Sequence, residues 1–313
     1  MLVEMAYTTI SAGTEKANLT GDLNINAAEK LKDTTPYFPR YLGYSGAGTV
    51  VKIGPGVTKV KAGDRVVAAF GTHSSYCVLS EERAIPIKQE GISLSEASLA
   101  VISTFPIAAL RKTKPEVGES VIIMGLGILG LFAVQFARAA GLVPVIAADP
   151  VKSRREYALS LGADFALDPT QPNFAETVKR LTGGGANVAV EVTGKGEGLD
   201  QALDCMARFG RVSLLGCTRD SDFKIDYYRK VHYPGITLVG AHTNARSERE
   251  SYPNYWAYPD EIDAIFKLAA GGRIDLKKMI SEIHSPREAP EVFKHLAFDR
   301  DFPIGVQFDW SKL

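Results

Sequence analysis

Three glycines and one aspartate are the residues whose spacing points most directly to chemistry. Gly125, Gly127 and Gly130 follow the apolar run 120–124 and open a second apolar stretch with a helical pattern. The first glycine permits a turn, the second lets a pyrophosphate approach the backbone, and the third permits close helix packing. Asp149 ends the next apolar run, 19 residues after Gly130, where a carboxylate can accept from ribose hydroxyls. The pattern predicts a nicotinamide dinucleotide site.

Further cofactor contacts are expected at the start of that helix and after the neighbouring strands. Ile128 and Leu129 supply the first helical amides after the glycine turn. The ligand crevice of a parallel sheet lies at the carboxyl ends of its strands, although ordinary turn chemistry explains the same residues. The candidates are Thr104, Val192, Thr193, Gly216, Cys217 and Ala241.

The bases that follow Asp149 bear on the choice of cofactor. Lys152, Arg154 and Arg155 can bind the 2′-phosphate of NADP, and we include Arg154 in the cofactor site. Asp149 repels that dianion. NAD is therefore expected, with NADP as the open alternative.

Composition narrows the partners. The 313 residues carry 36 Lys+Arg and 36 Asp+Glu, so no basic field attracts nucleic acid or anionic lipid, and a small-molecule substrate is expected. The first residues lack the features of a signal peptide, and the apolar segment 121–137 is interrupted by glycines, Gln135 and, at its end, Arg138, so a cytoplasmic protein without a membrane span is expected. Three separated cysteines without a C-x-x-C pair suggest reduced thiols and no zinc lobe.

The rhythm of the sequence changes near residue 105 and predicts an α/β protein of two domains. Short β-branched runs and glycine turns over 1–104 are typical of a partly open β-barrel. Strands and helices then alternate, which predicts a doubly wound parallel sheet, or Rossmann domain, over 105–243. The C-terminal part, 244–313, is too small to fold alone and is expected to pack back on the barrel. The predicted parallel strands are 120–124, 144–148, 187–192, 211–216 and 236–240.

Six sequence blocks occur in the order found in the medium-chain dehydrogenases/reductases, the alcohol dehydrogenase-like superfamily. They are 10–15, 42–48, 60–66, 125–130, 190–194 and 210–216. The chain resembles most the short, zinc-lacking branch that includes bacteriochlorophyllide hydroxyethyl dehydrogenases. The resemblance implies a GroES-like catalytic domain over 1–104 and 244–313, a Rossmann domain, and a nicotinamide-dependent oxidoreductase. It also implies that the last Rossmann strand, 236–240, is an open edge that pairs in a homodimer or a dimer-based tetramer.

The chain departs from the zinc-binding members of that superfamily at the metal positions. The catalytic zinc ligands of those enzymes correspond here to Ala12, Tyr44 and Ala100, none of which ligates zinc usefully. Only five residues, 71–75, stand where the structural zinc lobe would be inserted. The sequence therefore predicts an enzyme without zinc.

Another group must then polarise the substrate oxygen, and four residues are candidates. By the resemblance, Thr14 matches a hydroxyl that relays the alcohol proton, although it is equally explained as a helix cap. Tyr44 stands in the place of a zinc-binding histidine, either to donate to a carbonyl or as packing. His73, in the shortened loop, and His242, after strand 236–240, are weighed against ordinary surface or core histidines.

Three functions stay open. The first is transfer of a hydride between the cofactor and an alcohol or carbonyl, for example of a sugar, a polyol or a cyclic alcohol. The second is reduction of a quinone or an activated carbon–carbon double bond, which needs no alcohol base. The third is a nucleotide-sensing binding protein without turnover. The aromatic segment 244–258 is consistent either with stacking on a sugar, with Arg246 or Arg249 holding an acid, or with packing against the barrel.

Overall fold

The computed structural model describes residues 1–25, 38–299 and 301–313, and it divides into two compact units. Unit 1 comprises Met1–Ile102, Ile262–Gly271 and Leu276–Leu313, and unit 2 comprises Ser103–Glu261 and Gly272–Asp275. Residues 244–261, which the sequence pattern places in the first domain, fall in unit 2. They do so because Trp256 and Arg246 contact Arg111 and Thr104 of the same unit.

In its described residues, unit 1 is built on one sheet of seven strands that follow the β-branched runs of the sequence. They are β1 (Leu2–Thr9), β2 (Ser45–Lys52), β3 (Arg65–Ala69), β4 (Tyr76–Val78), β5 (Ala84–Pro86), β12 (Glu282–His284) and β13 (Val306–Asp309). Their order is β12-β13-β1-β2-β3-β5, with β4 also paired to β1. Val3, Val50 and Val66 are at most 1% exposed and belong to one core cluster. The GroES-like fold is confirmed, and β13 pairs with β1, which returns the C-terminal segment to this sheet.

Helices cover this sheet. They are α1 (Ala12–Leu19), α2 (Leu94–Ala97) and α9 (Ala289–Phe298), with short 3-10 turns at Glu81–Arg83, Lys277–Met279, Pro286–Glu288 and Trp310–Lys312. Ile10, just before α1, packs in one buried cluster with Val292 and Leu296 of α9 and Phe308 of β13. This cluster fixes the start of α1, which carries candidate site residues.

Unit 2 is a parallel sheet in the order β11-β10-β9-β6-β7-β8. Its strands are β6 (Val121–Met124), β7 (Val145–Ala148), β8 (Phe165–Leu167), β9 (Ala186–Glu191), β10 (Met206–Leu214) and β11 (Thr237–Gly240). Its helices are α4 (Ile128–Ala139), α5 (Lys152–Ser160), α6 (Phe174–Thr182) and α7 (Gly196–Asp204), with a π-helical turn at Tyr228–His232. The predicted Rossmann fold is confirmed. Its strand order reverses between β6 and β9, which places the ligand crevice at their carboxyl ends.

Two of the described helices contain residues of both units. They are α3 (Ala100–Lys112) and α8 (Tyr258–Ala270). No helix within the described ranges combines the length and apolar character needed to cross a bilayer.

Candidate functional site

The glycine turn after β6 has the geometry of a phosphate-binding turn. Gly125 has a φ of +95°, which favours glycine, and Gly127 is the N-cap of α4. A Cβ at Gly130 would lie 1.9 Å from the Gly125 carbonyl oxygen, whereas a Cβ at Gly127 would meet nothing within 4 Å. Ile128 and Leu129 are only partly buried. The first amides of α4 are thus open to an anion at the helix N-terminus.

Asp149 stands directly after β7 and holds this turn. The residue is 4% exposed, and its carboxylate accepts from Leu126 N at 2.9 Å and from Val151 N at 2.8 Å. Each carboxylate oxygen has two acceptor positions, so Asp149 keeps capacity for ribose hydroxyls.

The three bases of α5 have different partners. Arg155 donates to the carbonyl oxygens of Asp149 and Pro150 and forms an ion pair with Asp168. Lys152 is exposed and pairs with Glu156. Arg154 is the base beside the Asp149 carboxylate, with 3.8 Å between Nη1 and Oδ2. It is therefore the α5 base best placed to contact an adenosine ribose or its phosphate.

Glu191, the last residue of β9, organises the next strand end, and the sequence reasoning missed it. It is 1% exposed and accepts from Thr193 N at 2.7 Å, from the Thr193 hydroxyl and from Gly194 N at 3.2 Å. Burial raises the pKa of Glu191, and these donors oppose the shift. The signal in the sequence that could have identified Glu191 is an acidic residue at the end of an apolar strand.

The turns after β6, β9 and β10 meet. A Cβ at Gly125 would lie 3.1 Å from Thr193 Cγ2, and a Cβ at Gly216 would lie 2.2 Å from Gly194 N. The structure thus brings together the glycine turn, Val192, Thr193, Gly216 and Cys217. Ala241 is buried and donates its N–H to Leu214 O, and Thr104 is fully buried in α3, its carbonyl accepting from Arg246.

In unit 1, Tyr44 forms a hydroxyl pair with Ser11. The Tyr44 hydroxyl donates to Ser11 Oγ at 2.6 Å, and its ring stacks with Phe70 at 6.2 Å between centroids. Ser11 is the N-cap of α1, and its N–H donates to Glu15 Oε1 at 2.9 Å. The pair thus links the residue that precedes β2 to the N-cap of α1.

His73 is paired in the same unit with Glu15, a partner that the sequence did not reveal. Its Nε2 lies 3.0 Å from Glu15 Oε2, and its Nδ1 lies 2.7 Å from Thr8 Oγ1. The ring makes an edge contact with Phe308, and its side chain is 9% exposed. Both ring nitrogens have protein partners, which fits a positioning role for His73 better than proton exchange with substrate.

The other two candidates, Thr14 and His242, have different surroundings. Thr14 lies inside α1, which Ser11 caps, so the interpretation of Thr14 as the cap is wrong; its carbonyl accepts from Asn18 Nδ2. His242 is exposed in unit 2, and its Nδ1 accepts from Asn244 N at 3.2 Å.

The residues at the expected zinc positions do not fit the metal. Ala12 and Ala100 have no donor atom, and the Tyr44 hydroxyl is bonded to Ser11. Glu15, three residues after Ala12, forms an ion pair with His73. Within the ranges that the structure describes, no group of three or more His, Cys, Asp or Glu residues is arranged to hold a metal ion.

Comparison with known proteins bears on the family. The alcohol dehydrogenase GroES-like domain model matches residues 3–105, and the zinc-binding dehydrogenase model matches residues 129–258. The chain belongs to the medium-chain dehydrogenase/reductase superfamily. It is an NAD(P)-dependent oxidoreductase of the alcohol dehydrogenase type.

Relatives and solved structures agree with this assignment. D-guloside 3-dehydrogenase of Escherichia coli K12 is 26% identical over 275 residues, covering 85% of this chain and 77% of the relative. L-threonine 3-dehydrogenase of Pyrococcus horikoshii is 30% identical, covering 64% of this chain and 66% of the relative. The structure of galactitol-1-phosphate dehydrogenase from Escherichia coli superposes with a TM-score of 0.81 at 18% identity, covering 98% of this chain and 92% of that one.

Proposed function

We propose that this medium-chain dehydrogenase/reductase is zinc-independent and NAD-preferring. It transfers a hydride between the nicotinamide and an alcohol or carbonyl carbon of a sugar, a polyol or a cyclic alcohol. The Tyr44–Ser11 hydroxyl pair carries the proposal, because the family resemblance aligns Tyr44 with a zinc-binding histidine and the Tyr44 hydroxyl lies 2.6 Å from a second hydroxyl.

Oxidation of an alcohol removes one hydride and one proton. Bound NAD supplies the hydride acceptor at nicotinamide C4. The proton of the substrate hydroxyl passes to the Tyr44 oxygen as Tyr44 gives its own proton to Ser11, which releases one to water. In the reverse direction Tyr44 donates to the developing alkoxide, the role of an oxyanion donor. His73 and Glu15 hold the N-terminal turn of α1, and with it Ser11, in place.

The relatives support a hydroxylated substrate. Two of them are named for action on a guloside and on galactitol 1-phosphate, and a third for action on threonine. All three names denote oxidation of a secondary or polyhydroxylated alcohol, which favours this chemistry over reduction of a quinone or an activated double bond.

The test combines metal analysis with activity. Protein purified without added zinc is assayed for NAD-linked oxidation of polyols, glycosides and cyclic alcohols, with and without a chelator, beside a zinc-dependent relative as the control. We expect substoichiometric zinc and a rate that the chelator leaves unchanged, while the control loses activity. Stoichiometric zinc after dialysis, or activity that depends on added zinc, would contradict the proposal. So would turnover confined to quinones and enones.

A further inference from the structure

Unit 2 contains a group of buried and partly buried charges that the proposed chemistry does not use. This cationic cluster consists of Arg111 and Lys112 at the end of α3, Arg246 in the loop after β11, and Glu261 in the first turn of α8. Glu261 is fully buried and Lys112 is 5% exposed. Such groups are rarely buried unless they are paired.

The charges of the cluster do not balance. Arg111 binds Glu261 in a bidentate pair, with Nε–Oε1 at 3.2 Å and Nη2–Oε2 at 3.0 Å. Lys112 donates to Gly240 O at 3.4 Å, a neutral acceptor at long range. Within the described ranges, no carboxylate hydrogen-bonds to Lys112 or to Arg246. Three cations therefore face one carboxylate, which leaves an excess of two positive charges.

Arg246 has an unused donor. Its Nε donates to Thr243 O at 2.9 Å and its Nη2 to Thr104 O at 3.4 Å. Its Nη1 is buried and meets no hydrogen-bond partner in the part of the chain that the structure describes. A buried donor without a partner costs stability, and the cost is larger for a charged group.

Aromatic rings complete the surroundings of the cluster. The Arg246 guanidinium lies 3.9 Å from the centroid of Tyr258, Arg111 lies 3.7 Å from Trp256, and Lys112 lies 5.9 Å from Tyr255. These cation–π contacts offset part of the cost of burying the three cations. The aromatic rings offer no acceptor for a hydrogen bond in their plane. Burial lowers the pKa of Arg246, as expected for a cation without a counter-ion.

We propose that the cationic cluster is a subsite for a small oxyanion, a carboxylate or a phosphate group, which accepts from Arg246 Nη1 and balances the charge of Lys112. A water molecule would satisfy Nη1 but would leave both charges unbalanced. An oxyanion does both, and guanidinium donors suit its geometry. The dinucleotide phosphates have their own site at the glycine turn, so this anion is a separate ligand.

The binding test uses inorganic phosphate and, separately, acetate. Each is titrated calorimetrically at low ionic strength into wild-type protein saturated with NADH. Arg246→Gln is the test variant, and Arg249→Gln, an exposed arginine of the same loop, is the matched control. We expect saturable binding that weakens about tenfold or more in Arg246→Gln, the loss of one charge-assisted hydrogen bond, and is unchanged in Arg249→Gln. Lys112→Met is the second test variant and should also weaken binding.

Two results would overturn the subsite. One is the absence of binding by either anion, or equal binding by wild type and both test variants. The other is phosphate binding that occurs in the cofactor-free protein and is lost in the NADH-saturated protein, which would assign the anion to the cofactor site. An unchanged far-UV circular dichroism spectrum of Arg246→Gln verifies that this variant is folded.

Kinetic measurements distinguish an anionic group of the substrate from a free anion. This experiment rests on the proposed function. A phosphorylated or carboxylated polyol is compared with its neutral parent in wild type and Arg246→Gln. If Arg246→Gln raises KM for the charged substrate alone, the subsite binds the substrate. If KM for the charged substrate is equal in wild type and Arg246→Gln while wild type binds phosphate, the subsite binds a free anion. Phosphate binding is measured without turnover, so failure of the proposed function leaves the binding test intact.

Discussion

Asp149 is the residue with the sharpest consequence for cofactor choice. We expect wild-type protein to bind NADH more tightly than NADPH, because the buried carboxylate accepts from a ribose hydroxyl and repels a 2′-phosphate. Asp149→Asn keeps an acceptor and removes the charge, so the preference should narrow about fivefold or more, as expected for a charge pair near a protein surface. Fluorescence titration with both cofactors measures it.

The matched control for that variant is Asp168→Asn. Asp168 pairs with Arg155 and its side chain is 24% exposed, so its loss should leave the cofactor preference as it is. Tighter binding of NADPH by the unmodified protein would mean that Arg154 decides the site and that the expectation for NAD is wrong.

Tyr44 tests how the substrate oxygen is polarised. Tyr44→Phe keeps the ring against Phe70 and removes the hydroxyl bonded to Ser11. Loss of one oxyanion donor lowers turnover by about 10²–10³. We expect that loss in kcat with little change in thermal stability or NADH affinity. Tyr41→Phe, at an 82% exposed neighbour, is the control, and an unchanged kcat in Tyr44→Phe would assign this ring to packing.

Lys112 gives a pH dependence to stability. Burial, and then the nearby Arg246, lower the pKa of Lys112 from 10.5 to about 8, and Glu261 opposes the shift. The unfolded chain thus holds this proton more tightly, so charged Lys112 destabilises the fold fully below pH 8, and the penalty disappears as the pH rises toward 10.5. We expect Lys112→Met to have a larger free energy of unfolding than wild type at pH 7. This difference should shrink as the pH rises from 8 to 10.5.

Urea unfolding in phosphate-free buffer across this pH range measures the gain, with exposed Lys114→Met as the control. A constant difference between Lys112→Met and wild type at every pH would show that Lys112 titrates normally.

At the scale of elements, two glycines of the turn between β6 and α4 allow cofactor binding and fold stability to be tested separately. A Cβ at Gly130 would overlap the Gly125 carbonyl, whereas the space at Gly127 is open in the free protein. Gly130→Ala should therefore destabilise the fold, by about 1–3 kcal/mol for overpacking, and weaken NADH binding. Gly127→Ala should leave the melting temperature unchanged and still weaken NADH binding, because the pyrophosphate needs that space. Full NADH affinity in Gly127→Ala would show that the cofactor phosphates do not bind at this turn.

The sequence located most elements of unit 2 because buried parallel strands are short apolar runs bounded by turn residues. The runs 120–124 and 144–148 became Val121–Met124 and Val145–Ala148. The strand Phe165–Leu167 was not predicted, since three partly exposed residues show no period; it forms because β7 offers an edge, where Asp149 N donates to Leu167 O.

The side-chain pairs of the site were less accessible to sequence reasoning. Tyr44 and His73 were candidates by position, yet their partners Ser11 and Glu15 lie 33 and 58 residues away along the chain. Only the fold of the sheet and α1 brings them into contact. Arg246 joins α3 residues for the same reason, across 142 positions.

At the scale of the whole molecule, the edge strand β11 bears on the oligomeric state. In the described part of the chain, β11 pairs with β10 on one side and ends the sheet on the other. An open edge next to exposed Tyr233 and Phe209, 68% and 69% accessible, is a liability unless another chain covers it. We predict a homodimer, or a tetramer built from it, that pairs β11 with β11.

Light scattering at micromolar concentration tests the assembly. Val239→Lys places a charge on β11, and lysine on an edge strand opposes pairing with another chain, so this variant should be monomeric. Phe165→Lys places the same charge on β8, the opposite edge of the same sheet, and should leave the dimer intact. Because the glycine turn lies within unit 2, the monomeric variant should still bind NADH. A monomeric wild type would refute the predicted dimer, and a dimer that survives Val239→Lys but not Phe165→Lys would move the interface to β8.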